Sequence, residues 1–326
     1  MKKTIQKHRH TRRLFLATAL LASTLAAQAQ GPAANAKPIR VIVPFGPGSA
    51  VDSQGRYFAD QLAKVLNTSV YVENKPGVNG ALGLQAVKQA PADGLTVAVV
   101  SPSLVVTPIT SKNANYVVED FRAIAGVSKG PIGFFVRANS PFKTLDDAVN
   151  AAKREKRPLA MGTYAGSYQI GAAWLSKLTN VPITNVAYRG ASQAVTDLIG
   201  GSLETMSADY LSTIPLVRDG KVRALAIASE KRLAAMPDVP TVHETLPGYI
   251  NFIWIGLVVR ADTPQPIFDR LSQAMVQVMN QPATKDYLVK LGWEPLGHDG
   301  AAMTKFVADE NKRFKEIAKS AGIEAQ

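Results

Sequence analysis

Three times in this chain a short apolar run passes through a glycine turn into an amphipathic stretch. Ile39 to Val43 leads through Pro44-Phe45-Gly46-Pro47-Gly48-Ser49-Ala50-Val51-Asp52 into a helical pattern with Phe58, Leu62, Val65 and Leu66 on one face. Leu159 to Gly162 leads through Thr163-Tyr164-Ala165-Gly166-Ser167 into a helix over Tyr168 to Leu178. Asn185 to Tyr188 leads through Arg189-Gly190-Ala191 into a helix over Ser192 to Ile199. A strand that turns tightly into a helix is half of a parallel crossover. Its recurrence confines the chain to an α/β architecture with parallel-rich sheets. Further β-type runs at Val70 to Glu73, Leu95 to Val100, Glu204 to Ser207 and Arg223 to Ala228 extend the alternation.

Two α/β lobes are expected from this order, the first built from residues 37–127 and 252–326 and the second from 128–251. Ala123 to Val127 and Gly133 to Val136 read as two β pieces on either side of Lys129-Gly130-Pro131, forming the passage between lobes. Ile253 to Val259 reads as the return strand. The tail from Pro264 onward reads as mostly helical and packed on the first lobe.

The first residues set the compartment. Lys2, Lys3, Lys7, Arg12 and Arg13 precede an apolar run from Leu14 to Leu25, and Ala27-Gln28-Ala29 places small residues where a signal peptidase reads. The apolar run is too short to span a bilayer. Residues 1–29 therefore read as a cleaved export signal, and Arg12-Arg13-Leu14-Phe15-Leu16 fits the twin-arginine type. The absence of cysteine excludes disulfides, thiolate nucleophiles and cysteine-held metals. The net charge of +12 overstates the mature chain, because residues 1–29 are basic and hold no Asp or Glu. Elsewhere basic residues alternate with acidic ones, as in Lys153-Arg154-Glu155-Lys156-Arg157. No aromatic-interleaved basic stripe occurs, which argues against nucleic acid as a partner.

The turns are the segments able to carry chemistry. The N–H groups that open a helix have no intrahelical acceptor, and the helix dipole adds about 0.3–1 kcal/mol for an anion placed there. In open α/β sheets such turns border the crevice at the carboxyl ends of the strands. Candidate ligand-binding residues are Phe45, Pro47, Gly48, Ser49, Ala50 and Asp52 in the first turn and Gly162, Thr163, Tyr164, Ala165, Gly166 and Ser167 in the second. Tyr188, Arg189, Gly190 and Ala191 form the third turn. Taken alone, the first turn could equally be a Gly/Pro bend with Asp52 or Ser53 as helix cap. Turns facing each other across two lobes point instead to a molecule with carboxylates at both ends.

Enzymatic constellations are not supported. No G-x-S-x-G elbow is present, and Gly77, Gly80 and Gly83 do not match the dinucleotide fingerprint. His243 and His298 lie in loop-like text without metal-spaced partners. Asp146-Asp147 opens a helix, where acidic residues favour the dipole.

With these segments in view, the chain resembles the Bug family, the periplasmic receptors of tripartite tricarboxylate transporters. The resemblance rests on Pro44-Phe45…Gly48…Asp52, Val72-Glu73-Asn74-Lys75-Pro76-Gly77, Gly80 and Asp93-Gly94-Leu95-Thr96. It continues through Gly162-Thr163, Tyr188-Arg189-Gly190, Asp197-Leu198-Ile199-Gly200-Gly201, Gly220 to Ala226 and Met236 to Thr241. It implies a Venus-flytrap fold whose two lobes are joined by two crossing strands and close on a small carboxylate. It also implies a ligand held mostly by backbone N–H groups of the three turns, with Arg189 contributing its backbone rather than its charge. Delivery to integral membrane transporter subunits, a monomeric state and the absence of any metal or organic cofactor follow from the same resemblance. Three departures stand out: Ser49 replaces a second glycine, Ile170 replaces a histidine, and Asp209 falls one place after Met206-Ser207-Ala208. They suggest a less polar cleft, suited to an aromatic carboxylate or a longer dicarboxylate. A periplasmic sensor shares the same fold, and a secreted hydrolase is the remaining alternative.

Overall fold

The structure is a computed structural model. It describes residues 37–188, 190–234 and 236–325. Residues 1–29, read as an export signal, and Arg189 therefore lie outside the described residues.

The first lobe is founded on β1 (Ile39–Val43), which pairs in parallel with β2 (Val70–Asn74) and with β3 (Thr96–Val100). Strands covered on both faces need apolar residues on both, and β1 and β3 satisfy this. Val41, Val43, Val97 and Val99 enter one core layer, whereas Ile42, Ala98 and Val100 enter the other. Helix α1 (Ala50–Leu66) follows β1 and buries Val51, Phe58, Ala59 and Leu62. Helix α2 (Ala81–Lys88) follows β2, and α3 (Ser103–Thr110) follows β3.

The passage between lobes is one strand, not two pieces. β4 (Phe121–Arg137) is 17 residues long and runs unbroken through Gly130 and Pro131. Pro131 lacks an N–H, which ordinarily ends a central strand. It stays in register because the partner, β9 (Phe252–Arg260), pairs with β4 from Phe121↔Arg260 through Pro131↔Phe252. Beyond Pro131, β4 exchanges β9 for β7 (Thr205–Asp209) and β8 (Val222–Ile227), both antiparallel to it. The second crossing is at Asn251. Its N–H donates to the Ala228 carbonyl, and its own carbonyl accepts from the Ile132 N–H.

In the second lobe β5 (Leu159–Thr163) pairs in parallel with β6 (Ile183–Ala187) and β7. Helix α4 (Leu145–Arg154) precedes β5, capped by Thr144 with Asp147 reaching back to complete a capping box. Helices α5 (Gly166–Thr179), α6 (Ala191–Gly200) and α7 (Tyr210–Arg218) follow β5, β6 and β7. A short α8 (Val242–Thr245) leads to the return crossing. The connected strand order across both lobes is β2-β1-β3-β9-β4-β7-β5-β6, with β8 and β10 (Glu294–Asp299) also on β4.

The tail forms α9 (Gln265–Asn280), α10 (Pro282–Lys290) and α11 (Gly300–Ala321). Helices α9 and α10 pack on the first lobe, but α11 also packs against α5 of the second. Among the described residues no helix is long and apolar enough to cross a membrane.

Candidate functional site

Each parallel strand of both lobes ends at a turn that opens a helix, so the starts of α1, α3, α5, α6 and α7 gather at the carboxyl ends of the strands. The turns are not equivalent.

In the first turn the cap is Ser49, not Asp52 or Ser53, because the helix begins earlier than the apolar pattern shows. Ser49 Oγ accepts from the Asp52 N–H at 3.1 Å. The Asp52 side chain is buried and turned back on the loop. Its carboxylate accepts from the Gly48 N–H at 3.0 Å, from Arg56 Nε at 3.0 Å and from Asn74 Nδ2 at 2.7 Å. Asn74 Nδ2 also donates to the Phe45 carbonyl at 2.9 Å. Burial pushes the Asp52 carboxyl up, but the hydrogen bonds from Arg56, Asn74 and Gly48 and the Arg56 charge outweigh it and hold it below the ordinary carboxylate value. Gly48 and Asp52 thus bind each other and shape the turn. Pro47 is exposed, and Gly48 takes φ +82°, which suits glycine. What remains on offer are the N–H groups of Ala50 and Val51, which open α1 without an intrahelical acceptor.

The second-lobe turns carry no side-chain cap. Ala165 caps α5 and Gly190 caps α6, both with extended backbone and no side-chain hydrogen bond. The two turns are joined, because the Tyr188 N–H donates to the Thr163 carbonyl at 2.8 Å. A Cβ on Gly162 would lie 3.2 Å from the Tyr188 ring and 2.4 Å from Leu203 Cδ2, so a larger residue would have to displace Leu203. Thr163 Oγ1 donates to Asn185 Oδ1 at 2.6 Å. Gly166 and Ser167 are buried at the start of α5, whereas Ala191 is half-buried at the start of α6.

Aromatic hydroxyls surround the strand ends of this lobe. Tyr164 Oη donates to Asp209 Oδ2 at 2.7 Å, and Tyr168 Oη lies 3.4 Å from the same oxygen. Burial, with Tyr164 and Asp209 nearby, raises the Tyr168 phenol well above its ordinary value, so it remains a donor. Tyr188 Oη donates to Asp197 at 2.9 Å, and burial with this carboxylate pushes it up to about 12. Asp209 therefore supplies a buried carboxylate at the end of β7.

Ile170 does not line the cleft. It is wholly buried and packs into a core layer formed mainly by the first lobe. The expected loss of cleft polarity at that position is therefore corrected.

The sequence pattern missed the third first-lobe turn. Ser101 and Ser103 are buried with their hydroxyls 3.1 Å apart, at the start of α3. A Cβ on Gly80 would lie 3.4 Å from Ser103 Oγ and 3.6 Å from the Phe45 ring, so these three converge. The signal was Ser101-Pro102-Ser103 directly after an apolar run, the same strand–turn–helix grammar with proline in place of glycine. The lobes meet at Gly166, where an added Cβ would stand 2.9 Å from Val106 Cγ1 of α3. Elsewhere, a hollow of about 600 Å³ lies between α3, β4 and α11, with Leu104 and Phe121 among its walls and Lys312, Lys315 and Lys319 along it. Among the described residues no group of three His, Asp or Glu side chains could hold a metal.

The family model described as the tripartite tricarboxylate transporter family receptor matches residues 55–323. Three solved structures share the fold. The periplasmic binding protein BugD is 26% identical with a TM-score of 0.79, covering 89% of this chain and 99% of its own. A protein of R. palustris with adipate is 26% identical with a TM-score of 0.82, covering 89% and 98%. MatC from Rhodopseudomonas palustris with bound malate is 26% identical with a TM-score of 0.77, covering 86% and 98%. A match over most of the chain, on a two-lobed fold with uncapped helix starts at its strand ends, places this chain in the tripartite tricarboxylate transporter receptor family, the Bug receptors.

Proposed function

We propose that this chain is an exported, periplasmic receptor that closes its two lobes on a small dicarboxylate and delivers it, as a monomer, to integral membrane transporter subunits. The observation that carries the reading is the starts of α5 and α6, whose N–H groups meet no capping side chain among the described residues. One carboxylate of the ligand takes these N–H groups. The starts of α1 and α3 with Ser101 and Ser103 take the other end. Phe45, Tyr164 and Tyr188 wall the space between, as aromatic residues do in small-ligand clefts. Adipate and malate, held by relatives of the same fold, belong to this chemical class. Residues 37–127 with 252–326 form one lobe in this reading, and residues 128–251 form the other. No step of bond making is assigned to any residue.

Thermal melting of the mature chain against mono-, di-, tri- and aromatic carboxylates tests the proposal. A ligand bound only by the folded state at a hundredfold excess over its dissociation constant adds about 2.7 kcal/mol. A shift with dicarboxylates of about adipate length is the expected result. Shifts only with aromatic monocarboxylates, or none after unfolding and refolding to strip a captured ligand, would overturn it.

A further inference from the structure

The segment between β2 and α2 turns against the natural hand of L residues. Gly77, Val78, Asn79 and Gly80 follow one another with φ of 138°, 49°, 50° and 92°. Glycine accepts such angles freely, and asparagine tolerates the left-handed region, but a β-branched residue there is an outlier. Val78 gains little from burial in return, being 44% exposed. Strained backbone of this kind persists where its surroundings impose it, and it collects at binding sites.

The surroundings are specific. The Gly80 N–H donates to the Gly77 carbonyl at 3.0 Å, and Thr107 Oγ1 of α3 donates to the Asn79 carbonyl at 3.2 Å. A Cβ on Gly77 would strike Leu82 at 2.5 Å. The result is that Asn79 stands exposed within the turn. Asn79 Nδ2 is 3.9 Å from the position a Cβ on Gly166 would occupy. Val106, on the helix that holds the Asn79 carbonyl, fills the rest of that gap.

We propose that the left-handed turn Gly77–Gly80 is a clasp, in which Asn79 spans the seam to the start of α5 and sets how long the cleft stays shut. The proposal rests on the reading that the lobes close on a carboxylate, and it adds a positioning residue to it. The chemistry suits the place. Among the described residues the start of α5 has no capping side chain of its own; with the cleft empty the Asn79 amide oxygen can serve its N–H groups, and with a ligand there the amide nitrogen can donate to a ligand oxygen. Asparagine also combines that amide with tolerance of the left-handed backbone, so no other side chain would serve both needs as well.

The test uses the mature chain, which has no native cysteine, with spin labels on Asp60→Cys in the first lobe and Lys153→Cys in the second. Asn79→Gly accepts the left-handed backbone and removes the amide, while also freeing the backbone there. It should lengthen and broaden the ligand-free distance distribution. It should also raise the adipate dissociation rate by about fivefold, with the association rate changed by less than about twofold. Val78→Asn relieves the strain and keeps the amide, so it should raise Tm and leave distances and rates as they are. Wild-type distances and an unchanged dissociation rate in Asn79→Gly would overturn the clasp, even if Tm moved. If wild-type protein ignores adipate, the dicarboxylate reading fails separately, and the ligand-free distances still decide the clasp.

Discussion

The first turn of lobe one and the two turns of lobe two look alike as text and differ as chemistry. Around Asp52, the loop's own carboxylate consumes the Gly48 N–H and recruits Arg56 and Asn74. Around Gly166 and Gly190, no capping side chain intervenes among the described residues. An anion site is defined by donors that remain unsatisfied, not by glycine content. In the proposed reading the stiffened first turn still offers the Ala50 and Val51 N–H groups, and the second-lobe turns offer the more open grip.

Changes that separate the two regions should range from loss of fold to a slight weakening. Ile170→Ala, at the joint where α5 enters the first lobe's core, should cost about 2–5 kcal/mol in urea unfolding. Ligand selectivity should not change, since Ile170 is fully buried. A changed ligand preference at constant stability would return Ile170 to the cleft wall.

Asp52→Ala strips the clamp from the first turn and should cost about 1.5–3 kcal/mol, measured by the same unfolding curves. Its pH dependence has a definite sign. The folded carboxyl titrates below its ordinary 3.8, so its contribution is fully present above that value and is lost as pH falls through the lower folded value. The stability gap between wild type and Asp52→Asn should therefore narrow only below about pH 4. A gap that closes between pH 5 and 7 would contradict the clamp.

Gly166→Ala acts on the open grip. Its Cβ would press on Val106 Cγ1 at 2.9 Å, so full closure is obstructed while each lobe remains intact. Calorimetry should show affinity falling about tenfold, or about 1.4 kcal/mol, with the ligand-free Tm nearly unchanged. Ser49→Ala is the mildest change. It removes one helix cap and should cost about 1 kcal/mol without altering ligand contacts.

Much of this organisation was legible in the residues. Apolar runs ending at glycine turns placed β1, β5 and their helices within a few residues, because a parallel strand buried on both faces must be apolar throughout. Two limits had physical causes. Helix α3 contains Pro108 with Val105, Val106 and Ile109, a composition that disfavours helix, yet the burial of Leu104 to Thr107 overrides that preference. β4 passes through Gly130-Pro131 because β9 keeps its pairing register there, a non-local interaction that no sequence window contains. The same limit hid which turn is open. The carboxylate that stiffens the first one sits four residues from Gly48, but one of its donors, Asn74, comes from β2.

The central claim is that backbone N–H groups of both lobes hold a dicarboxylate between them. Amide-resolved NMR of the mature chain titrated with adipate tests it most directly. The account predicts the largest shifts at Gly166 and Ser167, at Ala191 and Ser192, and at Ala50 and Val51. Saturable binding with shifts confined to one lobe, or centred on the hollow beside Leu104 and Lys315, would contradict it.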